Sequence, residues 1–196
     1  MGRPPLSERE PYDTERLCDV ALELFKQRGY EATSMADIAA AAGIQKSSLY
    51  HHVQGKEELL SRGVNRALDA LFGVLDEPPA RTGPALDRLR FVLSRAVEIE
   101  VAHLAETTLL VRLRGNTELE RSALERRRTF DAAVTEMVQA AQREGALRRD
   151  IAPALATRLL MGILVSLTEW FQRDGKLTWR DMADSIFLVA FDGLAS

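Results

Sequence analysis

Residues Thr33–Leu60, TSMADIAAAAGIQKSSLYHHVQGKEELL, encode two short helices around a tight turn and then the start of a longer helix. Ser34 is placed to cap a helix whose apolar residues Met35, Ile38, Ala39 and Ala42 recur at helical spacing. Gly43 permits the left-handed backbone that ends it. The next short helix has Ile44 at its entry and turns Leu49 and Val53 inward, leaving Gln45, Lys46, Ser47, Ser48, Tyr50, His51 and His52 outward. Hydrogen-bonding side chains on a short, exposed second helix of this kind suit the donor and acceptor code of a DNA major groove. From Ile38 through Lys56 there is no carboxylate, whereas Lys46, Lys56, His51 and His52 carry or can acquire positive charge, so phosphates meet no repulsion there.

On this reading Gln45, Lys46, Ser47 and Ser48 approach base edges, while Thr33, Ser34, Tyr50, His51 and Lys56 hold phosphates, Ser34 and Lys56 with help from helix N-termini.

The same stretch, extended back to about Thr14, resembles the N-terminal DNA-binding domain of the TetR family of bacterial transcriptional regulators. The resemblance is carried by ALELF at Ala21–Phe25, RGY at Arg28–Tyr30, ATS at Ala32–Ser34, DIA at Asp37–Ala39, AGI at Ala42–Ile44, LYHH at Leu49–His52 and GKEELL at Gly55–Leu60. Val53 stands where a Phe is more usual in that family, which changes packing more than contact. The resemblance implies a homodimeric regulator, a repressor rather than an enzyme, that grips a palindromic double-stranded operator and releases it when a small molecule binds the C-terminal domain.

Composition limits how such a protein can hold DNA. The 196 residues include 26 Lys and Arg against 29 Asp and Glu, a formal net charge of −3, so any nucleic-acid contact depends on a local patch rather than a basic surface. The single cysteine, Cys18, has no internal disulfide partner and lies among Leu17, Ala21 and Leu22, consistent with a buried small apolar residue in a reducing, cytoplasmic setting. The longest apolar run, Leu159–Leu167, is well short of the ~18 residues a membrane span needs, so no membrane partner is expected.

Outward from the deciding stretch, residues 1–13, with Arg3, Pro4, Pro5 and Pro11, read as a flexible arm in which Arg3 is a minor-groove candidate. A helix from Thr14 to about Arg28 buries Leu17, Val20, Ala21, Leu24 and Phe25, and another runs from Gly55 and Lys56 to about Leu75. The run DEPPARTGP, Asp76–Pro84, breaks the helical pattern, since adjacent prolines and a Gly-Pro pair cannot continue a helix. Beyond it the pattern is helical over about 85–104, 105–113, 119–144, 153–173 and 178–194. The expected fold is all-α with about nine helices. Its divisions are the arm at 1–13, the helix-turn-helix domain at 14–60, a connecting helix and linker at 61–82, and a ligand-binding and dimerisation domain at 83–196.

The segment Ala154–Phe171 is apolar around most of its circumference, so it needs partners on more than one side. Its own core supplies one, and a second copy of the chain the other. Gly162 and Ser166 would allow a close helix approach, with Leu155, Leu159, Ile163 and Trp170 on this helix and Met182, Ile186 and Val189 on the next completing a four-helix bundle across a two-fold axis.

Enzymatic chemistry finds little footing. Adjacent His51 and His52 diverge by about 100° on a helix, which opposes chelation of one metal. Glu100 and His103 form a lone E-x-x-H pair without the second copy and extra carboxylates that an iron centre needs. There is no phosphate-cradling glycine loop, nucleophile elbow or cysteine pair for zinc, so no catalytic residue, metal or cofactor is expected. A small metal- or cofactor-dependent helical enzyme and a helical protein-interaction adaptor are the rival classes. Neither accounts for the acid-free face.

From Gly145 onward the chain is also similar, more loosely, to TetR-type regulators of fatty-acid and acyl-thioester metabolism. That similarity implies a fatty acyl thioester or similar apolar anion as effector. Phe91, His103, Phe130, Met137, Met161 and Trp170 are then candidates to line an apolar cavity, with Arg95 and Arg127 for the anionic head group. The run Arg126, Arg127, Arg128 also reads as an exposed helical face.

Overall fold

Ten helices follow one another through the described residues of the computed structural model, which are 13–171 and 175–192. They are α1 (Thr14–Arg28), α2 (Met35–Ala42), α3 (Lys46–His52), α4 (Lys56–Asp76), α5 (Pro78–Arg81), α6 (Ala85–Ala102), α7 (Leu104–Arg112), α8 (Glu118–Arg143), α9 (Pro153–Trp170) and α10 (Trp179–Asp192). No strand occurs among these residues. The helix beyond the expected nine is α5: Pro78 and Pro79 break the preceding helix but also occupy the first turn of a new one, where a missing amide hydrogen is no loss. The single helix expected at about 85–104 likewise ends early, at Ala102, because His103 leaves the helical backbone with φ −115° and ψ 42°. The chain divides into two compact units inside α4, one ending at Gly63 and the other beginning at Val64.

The first unit is built around α1. Asp13 caps it, and its buried stripe of Leu17, Cys18, Ala21, Leu22, Leu24 and Phe25 gives α2 and the start of α4 a surface to cover, while α3 packs on α2. Cys18 is fully buried, its thiol donating to the Leu59 carbonyl at 3.4 Å. The close pass of α1 and α4 depends on Gly63, where an added Cβ would lie 2.4 Å from Leu22 Cδ1. Burying Ile38, Leu49, Val53 and Leu59 inside this unit contributes about 1.5–3 kcal/mol for each large side chain.

In the second unit α6 is the central rod. Its buried residues Leu89, Val92, Leu93, Ala96 and Val97 meet α8, α9 and α10, and α8 also packs along α9. Phe130 and Val134 of α8, Leu160 and Leu164 of α9, and Met182 and Ile186 of α10 complete this core. Charged contacts add to it on the side of α4. Arg126 donates to Asn65 Oδ1 at 2.6 Å and Asp69 Oδ1 at 2.5 Å, so the arginine run is not wholly a solvated face.

Candidate nucleic-acid interface and internal cavity

The local geometry of α2 and α3 follows from their end residues. Ser34 accepts from the Asp37 amide at 3.2 Å while the Asp37 carboxylate accepts from the Ser34 amide at 2.9 Å, a reciprocal capping box. Gly43, at φ 71° and ψ 28°, takes the left-handed conformation, and the Ile44 amide closes the end on Ala39 O at 3.0 Å. The chain then re-enters a helix at Lys46 with Gln45 as an extended cap whose side chain makes no cap hydrogen bond. Leu49 and Val53 are buried. Gln45, Lys46, Ser47, Tyr50, His51 and His52 are exposed, and Ser48 is half-buried. Lys46 Nζ lies 5.9 Å from the Tyr50 ring centroid. Without a carboxylate on α3, this face offers hydrogen-bond donors and acceptors to a partner with no acid to repel an anion.

Three of the residues expected to hold phosphate are engaged otherwise in three dimensions. Thr33 is only 1% exposed and its hydroxyl donates to the Gly29 carbonyl at 2.8 Å, so its side chain secures the turn before α2, a task that competes with phosphate binding. The Ser34 hydroxyl donates to Asp37 at 2.5 Å, and that carboxyl is held below its ordinary value by the Ser34 hydroxyl and amide, against slight burial. An ionised Asp37 beside Ser34 opposes a phosphate there. Lys56 reaches back from the start of α4 to donate to the Tyr30 carbonyl at 2.9 Å, stands 4.3 Å from the Tyr30 ring centroid, and pairs with Glu31 at 3.6 Å. Its ammonium ties the turn after α1 to α4, a task that competes with phosphate binding. Arg3 lies outside the described residues.

The second unit contains a cavity of about 30 Å³, room for little more than a water molecule. Leu68 and Leu71 of α4, Leu110 and Val111 of α7, and Phe130, Met161 and Val165 of α8 and α9 form its apolar wall; Glu100, Thr107, Arg127 and Asp131 supply the polar groups. Of the eight residues expected to line a ligand site, Arg127, Phe130 and Met161 border this cavity. The others do not. Arg95 pairs with Glu98 and with Glu77, the latter at 3.3 Å. His103 faces Glu106, its Nδ1 at 3.2 Å from Oε1. Phe91 and Met137 pack against the core, and Trp170 is exposed, its indole donating to Ser166 Oγ at 3.4 Å.

Two carboxyls in the wall were not among the residues expected there. Glu100 is 7% exposed, and its Oε2 has no hydrogen-bond partner among the described residues; Asp131 Oδ1 is likewise buried and unpartnered. Burial pushes the Glu100 carboxyl up to about 8, with the charge of Arg127 only partly offsetting it, and pushes Asp131 upward for the same reason. A signal for Glu100 exists in the sequence: Val92 and Ala96 set a buried stripe whose next position, four residues on, is this glutamate.

Glu106 is buried too, but satisfied. Arg66 Nη2 donates to its Oε1 at 2.5 Å and His103 stands on the same oxygen. Burial alone would push this carboxyl up, but the His103 hydrogen bond, its own backbone amide and Arg66 together hold it at about 2.

On the outer side of the second unit, Leu155, Leu159 and Trp170 of α9 and Leu188 and Val189 of α10 are each at least half exposed. Gly162 and Ser166 fall on the same α9 stripe as Leu155 and Leu159, and an added Cβ at Gly162 would meet nothing within 4 Å. Met182 and Ile186, expected at the interface, are instead buried in the protomer's own core, and Ile163 packs against it.

Comparison with known proteins gives a consistent picture. Residues 17–62 match the family described as bacterial regulatory proteins, tetR family, and residues 82–194 match the tetracyclin repressor-like C-terminal domain. The chain is 30% identical over 201 residues to the HTH-type transcriptional repressor KstR2 of Rhodococcus jostii (strain RHA1), with 100% of this chain and 98% of that protein aligned. A crystal structure of a TetR transcriptional regulator family member from Streptomyces coelicolor A3 superposes with a TM-score of 0.85 at 47% identity, covering 96% of this chain and 94% of that one. The crystal structure of AibR in complex with isovaleryl coenzyme A and operator DNA superposes with a TM-score of 0.78 at 26% identity, covering 91% and 97%.

Proposed function

Because the chain belongs to the TetR family of bacterial regulatory proteins, we propose that it acts as a homodimeric transcriptional repressor whose α3 helices enter successive major grooves of a palindromic operator. The observation that carries this reading is the exposed, carboxylate-free face of α3, which follows an α2 held by the Ser34 and Asp37 capping box. Gln45, Lys46, Ser47 and Ser48 are assigned to base edges and Tyr50 and His51 to phosphates. The dimer is assigned to the exposed apolar stripe of Leu155, Leu159, Gly162, Ser166 and Trp170, joined by Leu188 and Val189.

The effector is assigned to the class of apolar acyl thioesters. AibR, a relative in sequence and fold, was crystallised with isovaleryl coenzyme A, and KstR2 is a repressor of the same family. At about 30 Å³ the cavity has no room for an acyl group, so binding must part the helices that line it, α4 among them through Leu68 and Leu71. A ligand that favours the parted state 100-fold shifts the equilibrium by about 2.7 kcal/mol, and operator DNA must then weaken ligand binding by the same factor.

The test is to select genomic fragments that the full-length protein retains and to measure their affinity as a function of salt. Lys46→Ala and Gln45→Ala should each change the preference among fragments, whereas Tyr50→Phe should weaken binding to all of them about equally. A wild-type protein that retains no fragment, or a double variant that binds as the wild type does, overturns the DNA assignment. The dimer is tested by Gly162→Arg. The protomer has space for the side chain, so the variant should fold and sediment as a monomer; a folded dimer would move the interface elsewhere.

A further inference from the structure

Glu100 occupies a position that the packing of α6 reserves for an apolar side chain, and it does so with one carboxyl oxygen unpartnered among the described residues. Asp131 brings a second such oxygen to the same small cavity, from α8. Buried polar atoms are ordinarily paired, and an isolated one is a standing cost to the fold. Two of them on facing helices, in the wall of one cavity, mark a place where a hydrogen-bonding group from elsewhere would relieve both.

We propose that the Glu100 and Asp131 end of this cavity receives a hydroxyl group carried on the otherwise apolar acyl body of the effector. The inference rests on the reading of the cavity as the effector site, and it narrows the class of acyl group. Charge selects an uncharged group over its rivals. Arg127, in the same wall, already sets a positive charge beside Asp131, so the site makes no net demand for a cation. Arg127 already faces both Asp131 and Glu100, so an anion would find no spare counter-charge there. Burial keeps Glu100 protonated at neutral pH, and a carboxylic acid has both an O–H to donate and an oxygen to accept. A hydroxyl can accept from Glu100 while its own hydrogen is donated to Asp131.

The expected selectivity has an unusual sign. Adding a hydroxyl to the ligand of an apolar pocket ordinarily weakens binding or leaves it little changed, whereas a pocket with unpaired buried polar groups rejects the ligand that lacks the matching group. The test is isothermal titration of the full-length protein with decanoyl, omega-hydroxydecanoyl and omega-aminodecanoyl coenzyme A. The hydroxylated thioester should bind about tenfold or more tightly than the methyl-ended one, and more tightly than the amine. Glu100→Leu should abolish the preference or reverse it, and Glu100→Gln, which keeps a donor and an acceptor, should retain it. If Glu100→Leu does not fold, the wild type and Glu100→Gln still decide the matter. Thioesters that bind without regard to the hydroxyl, or a methyl or amine end that binds best, overturn the inference and leave the effector site standing. Failure of all three to bind overturns the reading of the site and the inference with it.

Discussion

Two buried glutamates in the second unit, one at the end of α6 and the other at the start of α7, have opposite fates. Glu106 is fully engaged: Arg66 from α4 and His103 from the α6 to α7 junction both stand on it, and its carboxyl is held at about 2. Glu100 Oε2 has no hydrogen-bond partner among the described residues, and the carboxyl is raised to about 8. Burial acts on both in the same direction, so the difference lies in what surrounds them. One carboxylate fastens α4 to α7, a structural use of charge. The other sits in the wall of a cavity, where its unpartnered oxygen is the group that the proposed effector would meet.

The largest expected effect is on the fastened site. Arg66→Ala leaves Glu106 buried with its main counter-charge gone and should cost about 3 kcal/mol or more, read as a fall in the urea midpoint at unchanged slope. A loss below about 1 kcal/mol would place Glu106 with the exposed pairs and erase the contrast.

Glu100 should respond with the opposite sign. Its folded value lies above the unfolded one, so the unfolded chain releases the proton first, and stability falls as pH rises from about 4.5 to about 8. Glu100→Leu removes an unsatisfied buried group and should stabilise the fold by about 1–3 kcal/mol at neutral pH, the gain growing between pH 5 and 8. For Glu106 the window lies on the acid side: its stabilisation is present above about 4.5 and is lost as pH falls towards about 2. Thermal melts of the wild type and Glu100→Leu across pH 3–9 would check both windows, and parallel curves for the two proteins would contradict the assignment of the upper one.

A smaller effect separates the two supports of Glu106. His103→Phe removes one hydrogen bond while Arg66 remains, and should cost about 1 kcal/mol. A loss equal to that of Arg66→Ala would show that the histidine, not the ion pair, holds the junction.

How much of this is legible in the sequence depends on the range of the interactions. The reading helix is, because its signals are local: Ser34 and Asp37 cap one helix, Gly43 ends it, and Leu49 and Val53 mark the inner side of the next. Lys56 reads as a free cation in the sequence because its partner, the Tyr30 carbonyl, is 26 residues away. Thr33 misleads for a related reason, since its hydroxyl is taken by a carbonyl one turn back. The apolar excess of α9 is visible, but α10 cannot be oriented from its pattern alone, and Met182 and Ile186 turn inward while Leu188 and Val189 turn out. Least legible is the cavity, whose wall is assembled from α4, α6, α7, α8 and α9. Residue type alone points to Arg127, Phe130 and Met161, whereas Asp131 gives no sign until the helices are packed together.

The central claim is that one chain couples an operator-reading α3 to a ligand cavity in its second unit. Fluorescence anisotropy tests it most directly, with a labelled operator fragment bound by the full-length protein and omega-hydroxydecanoyl coenzyme A titrated into the complex. The account predicts that the anisotropy falls to that of free DNA as the thioester saturates the protein. A complex that holds or tightens while the thioester binds would contradict it.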